Sequence, residues 1–171
     1  MANTYTLIAS STVGAGGATS VEFTSIPSTY TDLLVKISSR DTQTTAYWSN
    51  IFFTFNNSAS GYSERILANT DGSVVSANKT SQAQLSYVYG TDTSSTSSTF
   101  GNSEIYIPNY TSSNNKSVSM DSVSENNGTQ IILGLAAGLW ANSAAITSIK
   151  FTPNTKFAQY ATFYLYGIKN Q

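Results

Sequence analysis

Apolar and polar residues alternate along short segments of the chain, and residues typical of turns separate the segments. In one segment Ile51, Phe53 and Phe55 share a face, while Phe52 and Thr54 lie on the other. A period of two is the pattern of a β-strand with one side buried. Eleven runs of this type occur, at residues 5–9, 20–26, 33–39, 48–55, 64–67, 84–89, 103–107, 117–123, 130–135, 147–151 and 159–168. The pattern therefore predicts an all-β protein.

The length and composition predict how these strands are organised. A chain of 171 residues fits one domain, residues 1–171, and many short strands without long helices favour an antiparallel β-sandwich. Serine, threonine and asparagine make up 66 of the 171 residues, which suits turns and pleated surfaces. Hydrophobic residues, at 40%, argue against the alternative that so polar a chain is disordered.

The last run, residues 159–168, is apolar or amphipathic on both faces. One face carries Ala161, Phe163 and Leu165, and the other carries Tyr160, Thr162, Tyr164 and Tyr166. Such a strand is expected at a central position in a sheet, or with its tyrosine face covered by another subunit. A solvated tyrosine face is the alternative.

Three further aromatic residues are candidates for contact with a ligand or partner. Tyr47, Trp48 and Trp140 have ring faces that could stack on a sugar, and core packing is the alternative for both tryptophans. Together with Tyr160, Tyr164 and Tyr166, they form the predicted set of interface or stacking residues. Two polar segments, residues 91–99 and 110–116, are predicted to be flexible surface loops.

The amino-acid composition excludes several common types of catalytic site. The chain has neither cysteine nor histidine, which excludes disulfides, thiolate nucleophiles and imidazole acid–base catalysis. Nine carboxylates are present, but their spacing singles out no pair for glycoside hydrolysis and no calcium loop, so both remain open alternatives. We therefore expect a protein that is not an enzyme, with no catalytic residues, cofactor or metal.

Charge and hydropathy also bear on partners. A net charge of −1 gives no basic footprint for nucleic acid. The longest apolar stretch, residues 131–141, is too short for a membrane-spanning helix, and the amino-terminal residues lack the pattern of a signal peptide. We expect binding to neither nucleic acid nor membrane.

Several phrases of the sequence resemble a family of small structural proteins from tailed bacteriophages of aquatic bacteria. They are Tyr5-Thr6-Leu7-Ile8-Ala9, Ile26-Pro27-Ser28-Thr29-Tyr30-Thr31-Asp32-Leu33, Phe55-Asn56-Asn57 before Tyr62-Ser63, Ile105-Tyr106-Ile107-Pro108-Asn109-Tyr110, Glu125-Asn126-Asn127, Ala137-Gly138-Leu139-Trp140, Ile146-Thr147-Ser148-Ile149 and Tyr164-Leu165-Tyr166-Gly167-Ile168. The resemblance implies a jelly-roll-like β-sandwich module of the virion, assembled in the host cytoplasm, and implies no catalytic residues.

Two functions follow as expectations from this resemblance. The first is a capsid decoration or cement protein that binds the major capsid protein or other virion proteins and bridges neighbouring capsid subunits, as a homotrimer by analogy. The second is a receptor- or glycan-binding module of a tail or head fibre, with a host-surface glycan as partner.

Overall fold

The computed structural model describes residues 4–128 and 130–169 and contains twelve strands in two antiparallel sheets. The strands are β1 Tyr5–Thr12, β2 Val21–Phe23, β3 Asp32–Ser39, β4 Trp48–Phe55, β5 Tyr62–Thr70, β6 Ser73–Gln82, β7 Tyr89–Thr91, β8 Gly101–Ile107, β9 Lys116–Ser124, β10 Ile132–Trp140, β11 Ile149–Pro153 and β12 Thr162–Ile168. The predicted antiparallel β-sandwich is confirmed. Residues 1–3, 129, 170 and 171 of the predicted domain 1–171 lie outside the described residues.

Four nested strand pairs form the centre of the sandwich. β1 pairs with β12, β2 with β11, β3 with β8 and β4 with β7. Successive pairs alternate between the two sheets, so the chain behaves like one long hairpin rolled around the core. This order of nested pairs is the connectivity of a jelly roll.

Two inserted hairpins widen one of the sheets. The β5–β6 hairpin leaves the connection between β4 and β7, and the β9–β10 hairpin leaves the connection between β8 and β11. β9 pairs with β8 and β5 pairs with β10, which gives an eight-stranded sheet in the order β1-β12-β3-β8-β9-β10-β5-β6, opposite a four-stranded sheet in the order β2-β11-β4-β7. We call β9, β10, β5 and β6 the extension.

A single core cluster fills the space between the inner faces of the two sheets. In β4 the predicted alternation is observed, with Ile51, Phe53 and Phe55 buried. In β12, Phe163 and Leu165 point inward while the tyrosines point outward. β12 lies between β1 and β3, one strand in from the edge, so it is an internal strand, which is one of the positions predicted for it.

One strand was not expected and one predicted strand was displaced. β6 is an edge strand that is exposed along nearly its whole length, so its sequence lacks an alternating apolar face. The predicted strand at residues 84–89 is wrong for most of its length. Its residues 85–88 are buried beside β4 as an irregular segment, with Leu85 and Phe53 exchanging backbone hydrogen bonds, and β7 begins only at Tyr89.

The serine- and threonine-rich segment 91–99, predicted to be a flexible surface loop, is anchored from two sides. The Arg40 guanidinium donates hydrogen bonds to the carbonyl oxygens of Ser95, Thr96 and Thr99 at 2.9–3.0 Å. The fully buried Asp92 carboxylate accepts hydrogen bonds from three backbone N–H groups, those of Thr45, Ala46 and Ser94. Segment 91–99 is therefore held in place by hydrogen bonds to its backbone and to the Asp92 side chain.

The second predicted loop, residues 110–116, is fixed at both of its ends. Tyr110 is fully buried, and its hydroxyl donates a hydrogen bond to the carbonyl of Pro27. The Lys116 ammonium is also buried and donates to the carbonyls of Ser112 and Asn114 at 2.8 and 2.5 Å. Burial lowers the pKa of Lys116.

Candidate binding surface

The outer face of the eight-stranded sheet, which points away from the core, carries most of the exposed apolar surface. Ten large apolar side chains are exposed among the described residues, and strand register places eight of them on this one face. The eight are Tyr5, Leu7, Leu67, Val74, Val123, Leu133, Leu135 and Tyr164. Single exposed apolar residues are common, but a concentration on one sheet face is characteristic of binding surfaces.

The half of this face formed by the extension is aliphatic. Leu67 lies opposite Leu135, and Leu133 lies opposite Val123 across neighbouring strands; Val74 on β6 completes the group. These five residues, each between 41% and 74% exposed, form what we call the aliphatic patch. A shallow groove of about 420 Å³ runs between them. The five residues of the patch carry no charge, and the Asp121 carboxylate, opposite Leu135, lines the same groove.

The half formed by β1, β12 and β3 is aromatic. Tyr164 and Tyr166 stack on β12 with ring centroids 6.5 Å apart and planes inclined by 28°. Tyr166 lies between Leu7 on β1 and Leu34 on β3. We call these four residues and Tyr5 the aromatic patch. Leu34 is only 4% exposed although it belongs to the outer face, so its neighbours cover it.

A row of charged side chains separates the two patches. Lys36, Glu104 and Asp121 occupy neighbouring positions on β3, β8 and β9. Lys36 Nζ lies 2.9 Å from Glu104 Oε2, and the hydrogen bond and charge of Glu104 raise the pKa of Lys36. Burial, and then the charge of Glu104, raise the pKa of Asp121. The row thus has one cation that is already paired and a second carboxylate beside it.

A depression lies where the aromatic patch meets the charged row. Its lining consists of Tyr5, Leu34, Lys36, Glu104 and Tyr166, and its volume is about 370 Å³. The Tyr106 hydroxyl nearby donates to Asp32 Oδ2 at 2.8 Å, and this hydrogen bond is the main cause of its raised pKa. Apolar rings and groups that donate or accept hydrogen bonds therefore converge on one place.

The structure brings together only some of the residues predicted from the sequence. Tyr164 and Tyr166 lie in the aromatic patch. Tyr160 is 67% exposed, but it precedes β12 in a left-handed backbone conformation (φ 72°) and lines neither depression. Tyr160 is therefore a separate exposed ring.

Trp140 is a core residue, which is the alternative that the sequence left open. It is 1% exposed, its ring stacks on Tyr62 at 6.2 Å, and it contacts Phe55 at 5.6 Å. Because β10 pairs with both β5 and β9, the inward position at its end is enclosed by neighbours. Its predicted role as an exposed stacking surface is thus corrected.

Trp48 begins β4 in the other sheet and Tyr47 immediately precedes it, so both lie away from the tyrosines of β12. Trp48 is half-buried and packs edge-to-face against Tyr89 with centroids 5.3 Å apart. Tyr47 has φ 62°, and its carbonyl accepts a hydrogen bond from the Ser95 hydroxyl at 2.5 Å. Trp48 therefore packs against β7, and Tyr47 helps to hold segment 91–99 through its backbone carbonyl.

Sequence reasoning missed the aliphatic patch and part of the aromatic patch. Leu133 and Leu135 alternate with Gly134 and Ala136, but a run in which every residue is apolar or small does not show which side faces outward. Tyr5 belonged to a predicted strand, with no indication that β1 lies beside β12. Strand adjacency was the missing information.

No protein-family model matches the chain, and a search of curated proteins found no match. Within residues 4–128 and 130–169, no helix is long and apolar enough to cross a membrane. In the same part of the chain, no cluster of three or more aspartate or glutamate side chains is placed to hold a metal ion.

Proposed function

We propose that this protein is a non-enzymatic virion structural protein, a capsid decoration or cement protein that binds the outer shell and bridges neighbouring capsid subunits. One observation carries the proposal: among the described residues, eight of the ten large apolar side chains that are exposed lie on one face of one sheet. The family resemblance of the sequence supports the same function. The protein is then assembled in the host cytoplasm and resides on the virion exterior.

The aliphatic patch suits such a contact in strength and in salt dependence. Burial of about 300 Å² of apolar surface contributes roughly 7 kcal/mol, which is comparable to the cost of associating two proteins. One patch alone therefore binds weakly, whereas a homotrimer that presents three patches gains from multivalency. Salt screens charges and not apolar contacts, so shell binding should persist at high ionic strength.

The test uses virus particles from which the protein has been removed. Wild-type protein added back is expected to bind at both 0.15 and 1 M NaCl and to raise the temperature of genome release. Leu133→Lys and Leu135→Lys place a charge in the aliphatic patch, and we expect both to abolish binding. Tyr160→Lys is the matched control, since it also exchanges an exposed apolar side chain for lysine, but off the face. Equal binding by all variants, or an unchanged release temperature, contradicts the proposal.

A second candidate function is a receptor- or glycan-binding module of a tail or head fibre. The depression at the aromatic patch favours it, because rings and hydrogen-bonding groups meet there. Image reconstruction of the intact particle distinguishes the two: density for this chain on the shell supports the first function, and density on the tail or on a fibre supports the second.

A further inference from the structure

We propose that the depression lined by Tyr5, Leu34, Lys36, Glu104 and Tyr166 is a binding site for a neutral saccharide. The site lies on the outer face of β1, β12, β3 and β8, outside the aliphatic patch. Its volume of about 370 Å³ falls within the range typical of small-molecule sites. The inference deepens the second candidate function by naming the site and the ligand class.

The apolar part of the site matches the C–H face of a sugar ring. Tyr5 is 57% exposed and Tyr166 half-buried, so both rings offer surface while Leu34 forms an apolar floor. The stack of Tyr164 on Tyr166 limits the orientation of the Tyr166 ring before any ligand arrives. A preordered aromatic surface loses little entropy on binding.

The polar part of the site can both donate hydrogen bonds to sugar hydroxyls and accept hydrogen bonds from them. The Lys36 ammonium donates, the Glu104 carboxylate accepts, and the tyrosine hydroxyls can do either. Lys36 and Glu104 are held 2.9 Å apart on adjacent strands, at the same depression as the rings of Tyr5 and Tyr166. Vicinal sugar hydroxyls, which are at once donors and acceptors, suit such a mixed set of groups.

Charge selects a neutral ligand over an acidic one. Among the residues that the structure describes, Lys36 is the one cation lining the depression; it is already paired with Glu104, and Asp121 lies next to Glu104 on β9. An acidic sugar would bring a third carboxylate to this group. Burial and the charge of Glu104 already raise the pKa of Asp121, as expected where negative charge accumulates. A ligand without charge avoids this repulsion.

The experiment is saturation-transfer NMR on the full chain. The probes are neutral trisaccharides of glucose, galactose, mannose and N-acetylglucosamine, together with an acidic comparator that carries a uronic acid. We expect transfer to at least one neutral trisaccharide and little to the acidic one. Tyr5→Ala and Tyr166→Ala should each weaken binding at least tenfold, whereas Tyr166→Phe, which keeps the ring, should weaken it only a few-fold. Tyr160→Ala, the matched control that removes an exposed ring elsewhere, should leave binding unchanged.

Tyr5 is largely exposed on an edge strand, so Tyr5→Ala keeps the test valid if Tyr166→Ala fails to fold. Binding to none of the neutral probes, stronger binding to the acidic probe, or binding by Tyr5→Ala equal to wild type each overturns the inference. Shell binding is tested separately through Leu133→Lys. If wild-type protein binds shells but no saccharide, the saccharide inference fails and the capsid proposal stands. If it binds a saccharide but no shells, the capsid proposal fails and the saccharide inference stands.

Discussion

Arg40 should hold residues 91–99 in place, and its replacement by methionine should destabilise the fold. Methionine keeps much of the side-chain length but donates no hydrogen bond. The carbonyl of Ser95 is buried against the guanidinium, while those of Thr96 and Thr99 are partly accessible to water. The buried hydrogen bond to a charged group should contribute about 1.5–3 kcal/mol, and each of the other two about 0.5–1.5 kcal/mol.

The guanidinium also loses hydration in the folded state, since burial lowers the pKa of Arg40. This cost disappears in Arg40→Met, so the net loss of stability should be about 3 kcal/mol. For a chain of this size, such a loss lowers the melting temperature by about 6–12 °C. With a urea m-value of about 2 kcal/mol/M, the unfolding midpoint falls by about 1.5 M.

The assay is urea unfolding at pH 7 followed by tryptophan fluorescence, with amide hydrogen exchange to localise the change. Arg65→Met is the matched control, because Arg65 is exposed on β5 and its loss should change stability by less than about 0.5 kcal/mol. Arg40→Lys should recover only part of the stability, since one ammonium lacks the planar fork that reaches three carbonyls. If Arg40→Met and Arg65→Met unfold at the same urea concentration, Arg40 does not anchor the segment.

Three further outcomes are expected. Trp140→Ala should cost about 3–5 kcal/mol in urea unfolding because it opens the core beside Tyr62, whereas Trp48→Ala, at a half-buried position, should cost clearly less; equal losses would contradict the core assignment of Trp140. Burial raises the pKa of the Tyr62, Tyr89 and Tyr110 phenols, so the folded state keeps protons that the unfolded state releases near pH 10. Stability should therefore be intact below about pH 10 and fall as the pH rises above it, with the share of the tyrosinate absorbance at 295 nm that belongs to these three phenols appearing together with unfolding; full tyrosinate absorbance in the folded protein would refute this. Light scattering should give a mass about three times that of the 18.3 kDa chain if the homotrimer forms, and a monomeric mass at high micromolar concentration would rule it out.

Local sequence determined most of the segments that are strands and, where apolar and polar residues alternate, which side chains point inward; it missed β6, whose residues have no such alternation. The period of two follows from the geometry of the extended backbone, so Phe53 and Phe55 could be assigned to a buried face without knowledge of any neighbour. The lack of cysteine and histidine likewise limited the available chemistry from composition alone.

Tertiary structure decided which strands are neighbours, and with that where the binding surface lies. Leu67 and Leu135 are far apart in the chain and meet only because β5 pairs with β10. The same holds for Arg40 and Ser95, which are 55 residues apart and joined by a hydrogen bond. A strand's alternation is a local property of the backbone, whereas its partners depend on the packing of the whole core and the hydrogen-bond register between distant segments.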